Sequence, residues 1–433
     1  MLWAVYSQYM PLFLDELLKS RSNRSVEFYA DNPHFYAHII GHIMSLDNLS
    51  GILVIPLFSF LSDNTKTKFG KRAPYIFIGG ILSIVIFPLI AVVFILNAFV
   101  WFFIVVALLV FAMGVWRSPA ITLMPDTTPK PSRIKANATI NLIGHVGAIL
   151  GAIIVIIISR LPGADDINSK WHLIPFTFTS FVLALVIVIL FLKFPENKIV
   201  SEAEFDLEVG EQKCESHEMV INGLSRLDKI NFGIIIAVVF FCWFAFSALF
   251  SWGSTYAMHI LGDHSLWAIF SVVIGVTAII AFLPSVWLIK QIGRKWSVIF
   301  GLFVALCGIT TAAFWGNNVG LPLLLPMLVL SGFGWGLMMV AAIPMFAEFS
   351  TQKNNGKMIG LYYFVSQGAM LLTANISGYL FRILGYEYYF TYAAVSLAIA
   401  LIIALGFKSP KTDRSNTNTE NQVCYTGSVT EDI

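Results

Sequence analysis

A chain of 433 residues that is 57% hydrophobic and 12% charged carries about half the charged fraction of an ordinary soluble domain, and its mean hydropathy is +0.78. This composition excludes a soluble globular protein. It also excludes a nucleic-acid binder, because the net charge is only +2 and the basic residues are scattered among short loops.

The polar breaks between apolar runs predict about twelve helical spans, each able to cross a hydrocarbon core of roughly 30 Å. Met1 enters apolar sequence with no basic segment or small-residue cleavage site, so no cleavable signal peptide is expected. The first span, 1–18, has about fourteen residues, or roughly 21 Å of helix, before Asp15 and Glu16. That length predicts a chain that begins inside its first transmembrane helix.

The second span, 37–61, carries Asp47 near mid-membrane, where an ionisable side chain is costly and functional by default. His38 and His42 lie on the opposite face; two such ligands are too few for a metal, and interfacial packing is the expected role. A basic turn follows at 62–74, SDNTKTKFGKRAP, and then spans 75–96 and 98–124. The latter holds Arg117, the only Lys or Arg in the interior of a span. Arg117 precedes Asp126 by about nine residues, or roughly 13 Å of helix. It therefore lies nearer the turn than Asp47, and the two need not touch. Either Asp47 is a protonatable or cation-coupling carboxylate that Arg117 biases while holding substrate, or both belong to a structural polar network.

Span 136–159 places Asn137, Asn141 and His145 on one face at i, i+4 and i+8, beside Gly147 and Gly151 at a spacing that lets helices approach. Such a face suits a hydrated cavity or interhelical hydrogen bonding. Span 172–193 closes the first half, 1–194. The polar segment 195–230, containing SEAEFDLEVGEQKCESHE, reads as a flexible linker.

The second half, 231–407, holds spans 231–256, 265–289, 297–315, 321–346, 358–381 and 388–407, followed by a polar tail, 408–433, expected to be disordered. Ser247, Ser251 and Ser254 line one side of span seven near Trp243 and Trp252. Span eleven has Tyr363 and Gln367 one turn apart, with Asn375 further along. Aromatic faces with uncharged hydrogen-bonding groups suit a sugar ring, whose C–H patches stack and whose hydroxyls bond amides and phenols. One cation at depth argues against a multiply anionic cargo.

Cys214, Cys242, Cys307 and Cys424 show no metal-ligand spacing and read as unpaired thiols. Of the 27 lysines and arginines, 20 fall in loops sharing one side with 62–74 and six on the other. The positive-inside rule then places that turn, the linker and the tail in the cytoplasm. The segment PSVWLIKQIGRKWSVIF repeats the order of PLFSFLSDNTKTKFGKRAPYIF: proline, apolar residues, a short basic turn, then Gly and two basic residues, Arg294 and Lys295 in the second copy. Lys290 stands where the first copy has Asp63. No phosphate-binding loop, zinc pattern or nucleophile elbow appears, so neither an enzyme nor a cofactor is expected, and an ion or substrate gradient must drive any transport.

The 62–74 turn with its preceding PLFSF resembles the loop signature of major facilitator superfamily transporters. RSPAITLMPDTTPKPSRIKAN (117–137) and GKMIGLYYFVSQGA (356–369) are similar to microbial members of its sucrose-transporter-like branch, related to glycoside–pentoside–hexuronide:cation symporters. The resemblance implies an all-α major facilitator fold of twelve transmembrane helices in two six-helix bundles. It also implies proton-coupled uptake of a sugar, a di- or oligosaccharide, by alternating access. By position Asp63, Lys71, Arg72 and Asp126 would close the cytoplasmic side, with Arg294 and Lys295 their counterparts in the repeat. One departure is Phe250, where relatives often carry an acid. The expected partners are a sugar, protons and the bilayer of the cell membrane, with no nucleic acid and a monomeric chain. Two alternatives stay open: a proton-driven efflux antiporter of drugs or metabolites, and a non-transporting sensor or scaffold.

Overall fold

A computed structural model describes residues 1–128, 133–164, 166–193, 226–315, 321–347 and 355–407. Most of the expected linker and the tail 408–433 lie outside the described residues, as do the side chains of Asp126, Asn137, Asn141, Lys290 and Arg294.

Among the described residues every regular element is helical. In chain order these are α1 (Leu2–Ser20), a short α2 (Val26–Asp31), α3 (Ala37–Asp63), α4 (Ala73–Ile95), α5 (Phe99–Thr127) and α6 (Arg133–Ser159). They continue with α7 (Leu173–Lys193), α8 (Arg226–Ile260), α9 (Leu266–Trp315), α10 (Leu321–Ala347), α11 (Asn355–Leu384) and α12 (Tyr389–Leu405). Single 3-10 turns at Lys170–His172 and Tyr386–Tyr388 lead into α7 and α12. Nine stretches of the described residues are long and apolar enough to cross a membrane, and Leu266–Phe282 is apolar but shorter. The remaining long helices, α1 and α11, carry polar groups such as Asp15, Gln367 and Asn375.

The acid at residue 15 does not end α1. Lys19, four residues on, closes its ammonium on the Asp15 carboxylate at 2.6 Å, a favourable helical spacing, and the helix continues to Ser20 with Asp15 buried. Local chemistry also sets other boundaries. The Ser25 hydroxyl caps α2 by accepting the Phe28 N–H at 3.2 Å, and Pro74 sits in the first turn of α4, where its missing N–H costs nothing. Gly70 and Gly293 occupy equivalent places in the two repeated basic turns, with φ of 116° and 81°. That left-handed backbone favours glycine, and at Gly293 it turns α9 into two arms.

Aromatic clusters hold each half of the chain. In the first, Phe13 stacks on Phe94 with ring centroids 3.8 Å apart, and Phe176 packs beside it. In the second, the Trp252 indole donates to Ser377 at 2.8 Å, Tyr389 donates to the Leu249 carbonyl at 2.6 Å, and Thr373 donates to the Phe244 carbonyl at 2.8 Å. These bonds satisfy polar groups that lipid could not. Leu53, Phe60, Ile78, Phe181, Leu192 and Ile402 face outward, as a lipid-facing surface requires.

The halves meet along α3 with α11, α6 with α9, and α1 with α8. On the first of these seams, a β-carbon at Gly378 would lie 2.7 Å from the Ala37 carbonyl oxygen, and Gly41 is pressed as closely onto Ala374. Both contacts lie toward the end opposite the basic turns, here called the far end.

Candidate functional site: a polar centre shared by four helices

Asp47 lies on the inward face of α3 at 9% exposure. Its carboxylate accepts from the backbone N–H groups of Asn48 and of Asp47 itself, while Oδ1 has no hydrogen-bond partner among the described residues. Arg117 reaches toward it from α5, and the two charges act on each other. No ion pair within 4 Å joins them among the described residues. The Arg117 guanidinium instead lies 5.7 Å from the ring centre of Trp3 on α1, a cation–π distance. Trp3 stacks on Tyr6 at 5.3 Å with the planes 20° apart. Tyr6 is buried, its charge environment includes Asp47, and its hydroxyl has no hydrogen-bond partner among the described residues.

From α11, Tyr363 faces Arg117 electrostatically and is 41% exposed. Gln367, one turn along, is buried and lies over Gly51 of α3. The centre thus holds a carboxylate with one acceptor unpartnered among the described residues, a guanidinium beside an indole ring and several aromatic faces. A carboxylate so placed can take up a proton or cation, and the guanidinium and phenols can bond hydroxyls of a solute lying on the indole.

Four of the residues selected from sequence meet here: Asp47, Arg117, Tyr363 and Gln367. His145 on α6 stands edge-on to Phe282 of α9 at 5.6 Å, across the other seam. The Trp243 indole donates to the Tyr362 hydroxyl at 3.1 Å and packs at right angles to Trp335, so its polar tip is used within the second half. Ser251 is half-buried on α8. Asn375 bonds His42 on the α3–α11 seam and donates to the Leu371 carbonyl. Twelve residues from Tyr363 is about 120° around a helix, so it points away from the centre. His38 lies on the same seam, 3.4 Å from Arg382.

At the basic turn, buried Arg72 pairs with Asp63 at 2.5 Å and also donates to the Ser62 hydroxyl. Lys71, beside it, is half-buried. In the repeated turn Lys295 donates to the Phe407 carbonyl at the end of α12. Trp3, Tyr6 and Asn48 belong to the centre and were not singled out from the sequence. Their signal was the i, i+3 aromatic pair in a span otherwise read only for its length, and an amide next to the buried acid.

Apolar membrane-crossing helices around a buried carboxylate–guanidinium centre define a multi-pass membrane transporter. The family model described as MFS/sugar transport protein matches residues 1–410. The chain belongs to that major facilitator family, whose members are transporters and not enzymes. Solved structures share its fold at low sequence identity. A D-xylose-proton symporter superposes with a TM-score of 0.69 at 15% identity, over 94% of this chain and 95% of that one. The inward open xylose transporter XylE from E. coli gives 0.64 at 13%, over 95% of each chain. The nucleoside transporter NupG, in a mutant form, gives 0.61 at 12%, over 94% of this chain and 96% of that one. No curated protein matches the chain.

Proposed function

We propose that the protein is a proton-coupled sugar symporter of the cell membrane, with a di- or oligosaccharide as its preferred cargo. The observation that carries this reading is Asp47: buried, one carboxylate oxygen without a hydrogen-bond partner among the described residues, and within the field of Arg117. A carboxylate that loses its hydration needs either a fixed counter-ion or a proton. With Arg117 turned onto Trp3, proton uptake at Asp47 would remove the carboxylate's pull on the guanidinium and leave it for cargo, and proton release would restore that pull. The cargo would lie against Trp3, Tyr6 and Tyr363, with Gln367 supplying an amide.

The solved structures that share its fold include a D-xylose-proton symporter and a nucleoside transporter, whose named cargoes are small polar ring compounds. Two halves of the chain rocking about this centre would give alternating access. The charge distribution supports a cytoplasmic basic turn, linker and tail. Asp63, Lys71, Arg72 and Asp126, with Arg294 and Lys295 in the repeat, would then be the cytoplasmic gate.

The test is Asp47→Asn in sealed vesicles. Concentrative uptake driven by a pH gradient should vanish while exchange of cargo across the membrane survives. Proton-driven accumulation that persists in this variant would remove Asp47 from coupling. Arg117→Gln should lose both activities, and wild-type affinity and rate in that variant would make it a replaceable part of a network.

A further inference from the structure

We propose that Asp15 of α1 and His259 of α8 form a second proton-sensitive site, a latch that holds the far end shut when the imidazole is charged. The inference rests on the alternating-access reading but not on the identity of cargo or coupling ion.

The pair bridges the two halves of the chain. His259 Nε2 lies 3.3 Å from Asp15 Oδ2, with the two side chains only 15% and 8% exposed. They belong to the first helix of each repeat, which lie side by side, near the ends opposite the basic turns. Opening the far end must separate them.

The surroundings fix both partners. His259 stacks almost flat on Tyr386, 5.3 Å between centroids and 13° between planes, so its Nε2 is aimed rather than free to swing. Tyr386 is buried, lies in the field of Asp15 and has a hydroxyl with no hydrogen-bond partner among the described residues. Asp15 Oδ1 is likewise buried without a partner among them. Lys19 holds the same Asp15 oxygen from one turn along α1. His34, in the connection before α3, stands edge-on to Tyr386 and acts on His259 electrostatically, as does Glu387 on His34.

Lys19 travels with α1, so Asp15 keeps a counter-ion whether or not His259 is beside it. What distinguishes the engaged latch is then the charge of the imidazole. A neutral imidazole offers an ordinary hydrogen bond; a charged one offers a charge-assisted bond roughly twice as strong. Protonation of the imidazole therefore engages the latch, and loss of that proton loosens it.

Spin-label distances test this without any cargo. Nitroxides are placed at Ser20→Cys and Leu261→Cys in a background carrying Cys214→Ala, Cys242→Ala, Cys307→Ala and Cys424→Ala. The protein is studied in nanodiscs, with the same pH on both faces in each measurement. Between pH 7.5 and 5.5 the ratio of short to long distances should rise about tenfold, the scale of the gain from making a hydrogen bond charge-assisted. In His259→Gln and in Asp15→Asn that rise should fall below about twofold. His259→Lys, charged throughout, should hold the short distance at both pH values. A pH response that survives both His259→Gln and Asp15→Asn overturns the latch, and so does a wild-type distance that ignores pH. A response lost in Asp47→Asn but kept in His259→Gln would assign it to the central carboxylate instead. If uptake proved not to be proton-coupled, the distance result would still stand.

Discussion

Gln367 on α11 lies over Gly51 on α3, so that a β-carbon at residue 51 would stand 2.8 Å from its amide oxygen. Gly51 is one turn from Asp47, and the glycine is what lets an amide from the second half of the chain reach the face that carries the buried acid. Gly51→Ala should push that amide off α3. The obstructing atom is the end of a flexible side chain, so the fold should hold, with the melting temperature changed by only a few degrees. The KM for cargo should rise about fivefold, the loss of one hydrogen bond of roughly 1 kcal/mol. Gln367→Ala should do the same, and the double variant should be no worse than either single one. Uptake kinetics on the three variants decide it: additive losses would separate Gln367 from Gly51.

Much of the membrane frame was legible because lipid leaves few choices. Long apolar runs must become helices, and the two Gly-basic-basic turns identified as a repeat contain glycines with the same positive φ. The kind of side chain at depth was also legible, since Asp47 and Arg117 are conspicuous in apolar sequence. Direction around a helix was harder. Tyr363 and Gln367 point to the centre, whereas Asn375 on the same helix turns to the seam and bonds His42. Trp243 is an aromatic beside serines in sequence, yet Tyr362 occupies its indole N–H. Asp15 was hidden for another reason. Read by hydropathy it marks the end of a span, but pairing with Lys19 and His259 lets an acid stay inside the bundle.

The Asp63–Arg72 pair is unequal in its exposure to solvent. The Arg72 side chain is 4% exposed and the Asp63 carboxylate 54%, so water screens one partner while the other depends on what the protein supplies. Asp63→Asn leaves the guanidinium with Ser62 and a weaker amide acceptor. The cost to stability should be about 1–2 kcal/mol, between a surface pair and a fully buried one. If the pair also times closure of the basic-turn end, maximal uptake rate should fall roughly tenfold, equivalent to about 1.4 kcal/mol, with KM little changed. Melting curves and uptake kinetics measured on the same preparation distinguish these effects. A loss of stability with an unchanged rate would restrict the pair to a structural role.

His34 gives the fold a pH dependence of its own. It lies outside the membrane-spanning helices, edge-on to Tyr386. Burial holds its pKa below the ordinary imidazole value, the charge of His259 pushes in the same direction, and Glu387 opposes them. Because the unfolded chain takes up this proton more readily, it binds more protons than the folded one between the two pKa values. The stability tied to neutral His34 is therefore complete above the unfolded value, near 6.5, and is lost as pH falls through the lower folded value. His34→Asn removes that dependence. Melting temperatures of purified protein between pH 7.5 and 5.0 should fall less steeply in the variant than in the wild type, and the two should converge in slope above pH 7. A variant with an equal or steeper acid loss would show that His34 is not held below its ordinary value.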